Sequence, residues 1–279
     1  MKTIRERAIR ECVRRLSLKA NFSLRPDVKE SLKRALAREK NPRARRILAD
    51  LLENARIARR DSLALCQDTG MPVVFLEIGP DVNISGIDVQ GAVRGGIAEA
   101  YREGFLRDSI IPDPLLRGRP GFSPGIVHAN FSRQKGLKIT VMPKGFGCEN
   151  KTRLKMLVPT AGPGEVEDFV ISAVHEAGPD ACPPYVIGVG IGGTSDYACQ
   201  MAKEALLRPL NRRSGLSHVA RLENSLMKKL NKINLGPMGL GGSTSVLGVN
   251  ISTYPTHIAG LPVCVNISCH VLRSASERL

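Results

Sequence analysis

From Gly70 to Ser268, glycine-bearing loops alternate with short apolar runs of strand length, and this alternation limits the fold more than any other feature. Met71–Ile78, Ile126–Phe131, Leu137–Met142, Tyr185–Ile191, Val246–Ser252 and Leu261–Ser268 read as strands. Their apolar, β-branched character and the flanking Gly, Pro and Asn support that reading. Function then belongs on loops held by a scaffold, where binding groups gather. Helical spacing appears at 2–17, 27–39 and 42–59, the last carrying Ile47, Leu48, Leu51, Leu52 and Ile57 on one face. Pro26 and Pro42 stand where a helix is allowed to begin. Asp88 is the expected N-cap of a helix reaching about Leu106. Further helices are expected over Glu165–Ala177, Tyr197–Leu207, 217–233 and the tail 269–279. The fold class is therefore α+β, an N-terminal helical cluster packed with a mixed β-sheet region bearing Gly-rich loops. With no repeat and no linker, 1–279 reads as a single domain, with a basic helical segment at 1–60 and a site-bearing core at 61–279.

Hydrophobic residues make up 42% of the chain and charged residues 24%, the balance of a soluble globular protein. No apolar run approaches the roughly 20 residues of a membrane helix. The opening Met1-Lys2-Thr3-Ile4-Arg5-Glu6 lacks an apolar signal core, so a cytoplasmic location is expected. The formal net charge of +15 raises the question of nucleic acid. Residues 1–60 hold 19 Lys and Arg against 7 Asp and Glu, a balance of +12, with Phe22 their one aromatic. Base stacking would have almost nothing to use there, so a solvated face or a subunit contact fits better. A non-catalytic basic module that holds nucleic acid or an acidic partner is the alternative of another class.

The densest chemistry lies at Cys66-Gln67-Asp68-Thr69-Gly70, immediately before a strand. A bland turn needs only the Asp and the Gly, which leaves Cys66 and Gln67 to be explained. Seven scattered cysteines in such a chain argue against a disulfide framework and leave metal ligation, redox chemistry or burial. Cys66, Cys182 and Cys269 stand at loops or strand ends beside polar groups, and Cys182 precedes Pro183-Pro184. Cys199 and Cys12 read as core. Cys264 and Cys269, five apart, face opposite sides of one strand. Cys148 lies in a glycine loop, where a role as ligand or as filler both stand. Separations of 116 and 87 residues do not fit a zinc ribbon, and soft ligands without close pairs keep iron–sulfur open. Gly188-Val189-Gly190-Ile191-Gly192-Gly193 matches a dinucleotide fingerprint, but Leu210–Ser214 lacks the acidic residue that would complete it. An anion at the N-terminus of the following helix remains reasonable. Among the histidines, His257 sits between two strands, His175 and His218 lie on helices, and His270 adjoins Cys269.

With these residues laid out, the chain resembles the iron–sulfur hydro-lyases of the class I fumarase and tartrate dehydratase family, in the form of an α subunit of the two-subunit type. The resemblance runs from about residue 5 to 276, through Cys66–Gly70, Leu106–Ser109, Gly147–Thr152, Cys182–Gly193, Asp196–Ala198, Lys203–Pro209, Asn231–Gly242 and Thr256–Cys269. It implies a [4Fe–4S] cluster held by Cys66, Cys182 and Cys269, with one iron left open. It also implies Gln67 and Arg107 as substrate contacts, and Asp68 and His257 as catalytic groups. Part of such a site comes from a second domain, so a separate β subunit is expected as partner, with a small dicarboxylate as substrate. The implied reaction is fumarate hydration, with tartrate dehydration the alternative within the class. Two departures stand out. Gly241-Gly242-Ser243-Thr244 replaces the usual Gly-Gly-Lys-Thr, and Cys148 takes a position more often filled by a small residue.

Overall fold

A computed structural model describes residues Lys2–Leu279. In chain order the elements are β1 (Lys2–Thr3), α1 (Glu6–Phe22), α2 (Pro26–Arg38), α3 (Pro42–Asp61), β2 (Met71–Ile78), β3 (Val82–Asn83), α4 (Val89–Glu103), β4 (Ile126–Phe131) and β5 (Leu137–Lys144). They continue with α5 (Phe146–Glu149), β6 (Arg153–Leu157), α6 (Pro163–Ala177), β7 (Tyr185–Gly193), α7 (Ser195–Ala205), α8 (Ser217–Asn231), β8 (Val246–Thr256), β9 (Leu261–Ser268) and β10 (Ala275–Arg278). The chain divides into two compact units, each assembled from separated segments.

The first unit comprises residues up to Arg25, then Asn54–Phe146 and Arg273–Leu279. Its sheet has the order β10-β5-β2-β4, with β2 parallel to β4 and antiparallel to β5. Ile9, Val13 and Leu16 of α1 and Val93, Ile97 and Tyr101 of α4 bury against Val74 and Leu76 of β2 and Ile139 and Val141 of β5. Alternate strand residues thus point to the helices, as the two-residue period of a strand requires. Asp88 caps α4 as expected, its Oδ1 accepting from the Gly91 amide at 2.8 Å.

The second unit comprises Pro26–Glu53 and Gly147–Leu272. Its sheet has the order β6-β9-β7-β8, with β7 parallel to β8 and antiparallel to β9. Ile187 and Val189 of β7 bury against Val170 of α6 and Leu226 of α8. Their neighbours Gly188 and Gly190 face α7 instead. A Cβ there would lie 2.0 Å from the Ala202 carbonyl oxygen or 2.1 Å from that of Ala198. The glycines of the fingerprint therefore let helix and sheet backbones touch.

Each sheet gathers its own helices, so each compact unit has its own buried cluster. Helices and mixed sheets make the α+β class expected from the sequence, with α1 in the first unit and α2 in the second. Several expectations change. The tail is a strand, not a helix, since Ala275–Arg278 completes the open edge of β5. The strand runs 126–131 and 137–142 flank β2 on opposite sides. β6 was not foreseen in Arg-Leu-Lys-Met-Leu, and β8 runs on to Thr256. Among the described residues, no helix is long and apolar enough to cross a membrane.

Candidate active site

In the first unit, α3 ends at Asp61 and the chain turns through Cys66–Gly70 into β2. Gly70 supplies the left-handed turn at φ 74°, where a side chain would also meet the Lys144 backbone. Asp68 is fastened by its carboxylate: Oδ1 accepts from the Gly70 amide at 3.0 Å and Oδ2 from the Phe146 amide at 2.8 Å. Each oxygen keeps a lone pair for a further partner. Thr69 joins this loop to the segment after α4. Its Oγ1 accepts from the Arg107 amide at 3.2 Å and stands 3.3 Å from the Arg107 carbonyl oxygen. Tyr101 donates to the carbonyls of Thr69 and Gly70 at 2.9 and 3.1 Å. Burial pushes its phenol up to about 12, so it remains a donor. Gln67, Asp68 and Arg107 are thereby brought into one frame. Gln67 and Arg107 are exposed, and the Arg107 guanidinium has no partner among the described residues. A planar fork without a partner suits a carboxylate.

In the second unit, Cys182 precedes β7 and Cys269 follows β9. The register sets Val186 opposite Ser268, so both cysteines lie at the same end of that sheet. Cys182 is held at φ 57°, a conformation that disfavours a side chain bearing Cβ. A cysteine kept in such a conformation points to a use for its sulfur. His270 reaches the Cys182 carbonyl oxygen with Nδ1 at 3.0 Å, which assigns the proton of the contact to that nitrogen. The Val271 amide donates to Cys269 Sγ at 3.3 Å, a contact suited to a thiolate. Cys148 is buried beside them, its Sγ 3.4 Å from the Ala181 carbonyl oxygen.

His257 lies elsewhere. It follows β8 and borders a recess of about 500 Å³ with Gly193, Thr194, Asp196, Tyr197, Tyr254 and Pro255. Its Nδ1 accepts from the Ala259 amide at 3.2 Å, which leaves Nε2 to face a partner. β7 and β8 are parallel and β7 has nine residues. At about 3.3 Å per residue, His257 is roughly 30 Å from the end that carries Cys182 and Cys269. The expected anion site at the start of α7 is already met by Asp196 in the first turn. Hydrogen bonds from Thr194 and the Tyr197 amide hold that carboxyl below its ordinary pKa.

The remaining cysteines behave as core. Burial raises the Cys12 thiol to about 11, and burial with the Cys199 contact raises Cys264 strongly. None of the seven is in a disulfide. Among the described residues, no three His, Cys, Asp or Glu side chains are gathered in a metal-holding group. The donor chemistry fits an iron–sulfur cluster in part: Cys182 and Cys269 share a sheet end with an amide aimed at one sulfur, and Cys66 is half-buried on its loop. Sequence reasoning missed Tyr101 and Arg273 as supports of the Cys66–Gly70 loop. Neither carries a local signal, because the contacts that matter join segments far apart in the chain.

The sequence profile of the family described as Fumarate hydratase (Fumerase) matches residues 10–278. A Methanocaldococcus jannaschii protein provisionally named L(+)-tartrate dehydratase subunit alpha is 37% identical over 278 residues, covering 97% of both chains. The L(+)-tartrate dehydratase subunit alpha of Escherichia coli K12 is 29% identical over 247 residues, which are 87% of this chain and 81% of that one. A Geobacillus stearothermophilus protein provisionally named fumarate hydratase class I is 28% identical over 276 residues. That match takes 94% of this chain and 53% of the relative, so the chain spans about half its length.

Proposed function

The chain belongs to the class I fumarase and tartrate dehydratase family, and from that membership we propose that it is the α subunit of a [4Fe–4S]-dependent hydro-lyase. With a separate β subunit it reversibly hydrates fumarate to malate in the cytoplasm. The observation that carries the cofactor assignment is the contrast among the thiols. Cys182 and Cys269 are set together at one sheet end, whereas Cys12 and Cys264 are locked in apolar cores with raised pKa values. Cys66, Cys182 and Cys269 are the ligands. When bound, the cluster supplies an open iron, a Lewis acid toward a carboxylate and hydroxyl of the substrate.

The chain's own residues do the rest. Arg107 binds one substrate carboxylate through its unpartnered guanidinium, and Gln67 offers an amide that donates and accepts. Asp68, fixed by two backbone amides, accepts a proton or orients a substrate hydroxyl through its remaining lone pairs. His257, with Nδ1 occupied by the Ala259 amide, presents Nε2 as a proton donor. The length of β7 keeps it from the Cys182 and Cys269 end of its own sheet, so a second copy of the chain brings His257 to the reacting diacid.

Iron and sulfide quantified after anaerobic reconstitution test this reading. Cys66→Ser, Cys182→Ser and Cys269→Ser should each lose the cluster, and Cys12→Ser and Cys264→Ser should keep it. A reconstituted complex fully active without iron would sink it. Tartrate dehydration is the second reading, favoured by the names of the relatives from M. jannaschii and E. coli. Parallel assays with fumarate and L-tartrate on the two-subunit complex decide between them.

A further inference from the structure

Arg273 is only 3% exposed, yet its guanidinium pairs with no carboxylate among the described residues. Its Nε donates to the Pro143 carbonyl at 3.4 Å and its Nη2 to the Asp68 carbonyl. Its Nη1 is buried with no hydrogen-bond partner among the described residues. An ion taken out of water without a counter-ion is costly, and two carbonyl contacts offset that only in part. A scaffold role alone is met more cheaply by a neutral donor, so the charge asks for a reason.

The contacts supply one. Pro143 lies in β5, and two residues beyond the end of that strand the chain reaches Phe146, whose amide holds the Asp68 carboxylate. Arg273 thus ties the main chain of Asp68 to the strand whose continuation grips the Asp68 side chain. Tyr101 fixes the next two carbonyls of the same loop, and Thr69 links it to Arg107. We propose that Arg273 is a positioning residue for the Cys66–Gly70 loop, presetting Asp68 and Cys66 and placing an uncompensated cation behind the anionic groups that meet there. The catalytic half of this inference rests on the hydro-lyase reading, whereas the loop-ordering half stands without it.

The test uses Arg273→Lys and Arg273→Met in the full chain. Lysine keeps the charge but cannot hold both carbonyls, and Arg273→Lys decides the matter if Arg273→Met does not fold. The first readout is amide hydrogen exchange before reconstitution. Protection should fall at least tenfold at the Gly70, Arg107 and Phe146 amides and stay unchanged in β2 and β4. Wild-type protection at those three amides in the variants would overturn the proposal. The second readout is turnover per bound cluster in the reconstituted two-subunit complex. We expect kcat per cluster to fall tenfold or more, with KM within threefold of wild type. A purely structural arginine would lower the yield or the iron content but leave the turnover of each loaded enzyme intact, and that result would overturn the catalytic half. If wild type itself takes up no iron, the hydro-lyase reading fails while the exchange experiment still decides the loop.

Discussion

Ser243 stands where the resemblance leads one to expect a lysine, and its surroundings explain what it does instead. Its amide and its Oγ both donate to Glu39 Oε2 at 2.8 Å. Glu39 is only 4% exposed. Burial alone would raise its pKa, but hydrogen bonds from the Asn41 amide, from Ser243 and from the Lys40 amide outweigh burial and hold the carboxyl below its ordinary value. A folded-state pKa below the unfolded one stabilises fully above the unfolded value and is lost as pH falls through the folded value. Ser243→Ala should therefore cost about 1.5–3 kcal/mol at pH 7, the range for a hydrogen bond to a charged group. The gap from wild type should narrow below about pH 4.3, the ordinary glutamate value, as Glu39 protonates. Urea titrations at pH 7 and at lower pH would measure both. Nothing in residues 241–244 alone names Glu39 as the partner, because 204 positions separate the two in sequence.

Among the elements, β7 and α7 show best how a motif can be legible and still mean something else. The glycine spacing at 188–193 is plain in the sequence, and the missing acid at 210–214 already argued against a dinucleotide. Its purpose needed the helix in place: Gly190 lets α7 lie on the strand with no side chain between them. Gly190→Ala would drive a methyl group into the Ala198 carbonyl, a loss at or above the upper end of the roughly 1–3 kcal/mol of overpacked cores. Thermal unfolding followed by circular dichroism should show a lower Tm. A wild-type Tm would mean that α7 is free to move away. The basic α1 likewise has a use that composition hides. Arg10, Arg14 and Arg15 pair with Glu99, Glu103 and Glu277, so part of the excess charge sits in ion pairs of its own unit. The strand at the tail is not legible locally, because Ala275–Arg278 is short and polar and its strand state comes from the edge of β5 rather than from its own propensity.

For the molecule as a whole, the local frame around Cys66, Gln67, Asp68 and Arg107 was largely readable, since three of its members come from one motif and the fourth from another. The distance between His257 and the Cys182 end was not, because strand direction and register decide it. That distance yields a prediction. Cys182→Ser and His257→Ala chains, each inactive alone, should recover activity when unfolded together, mixed and reassembled with the β subunit. Random pairing in a two-fold dimer gives about a quarter of the wild-type rate. Absence of recovery, with both variants folded, would place His257 outside the reaction or within its own chain's site. The discontinuous first unit carries a further consequence for synthesis. The second unit closes with Leu272, but the sheet of the first stays one strand short, and Arg273 is missing from behind Asp68, until the segment Arg273–Leu279 has left the ribosome. Until that segment has emerged, the nascent chain carries its Cys66 loop without the Arg273 brace, however early the loop itself was made.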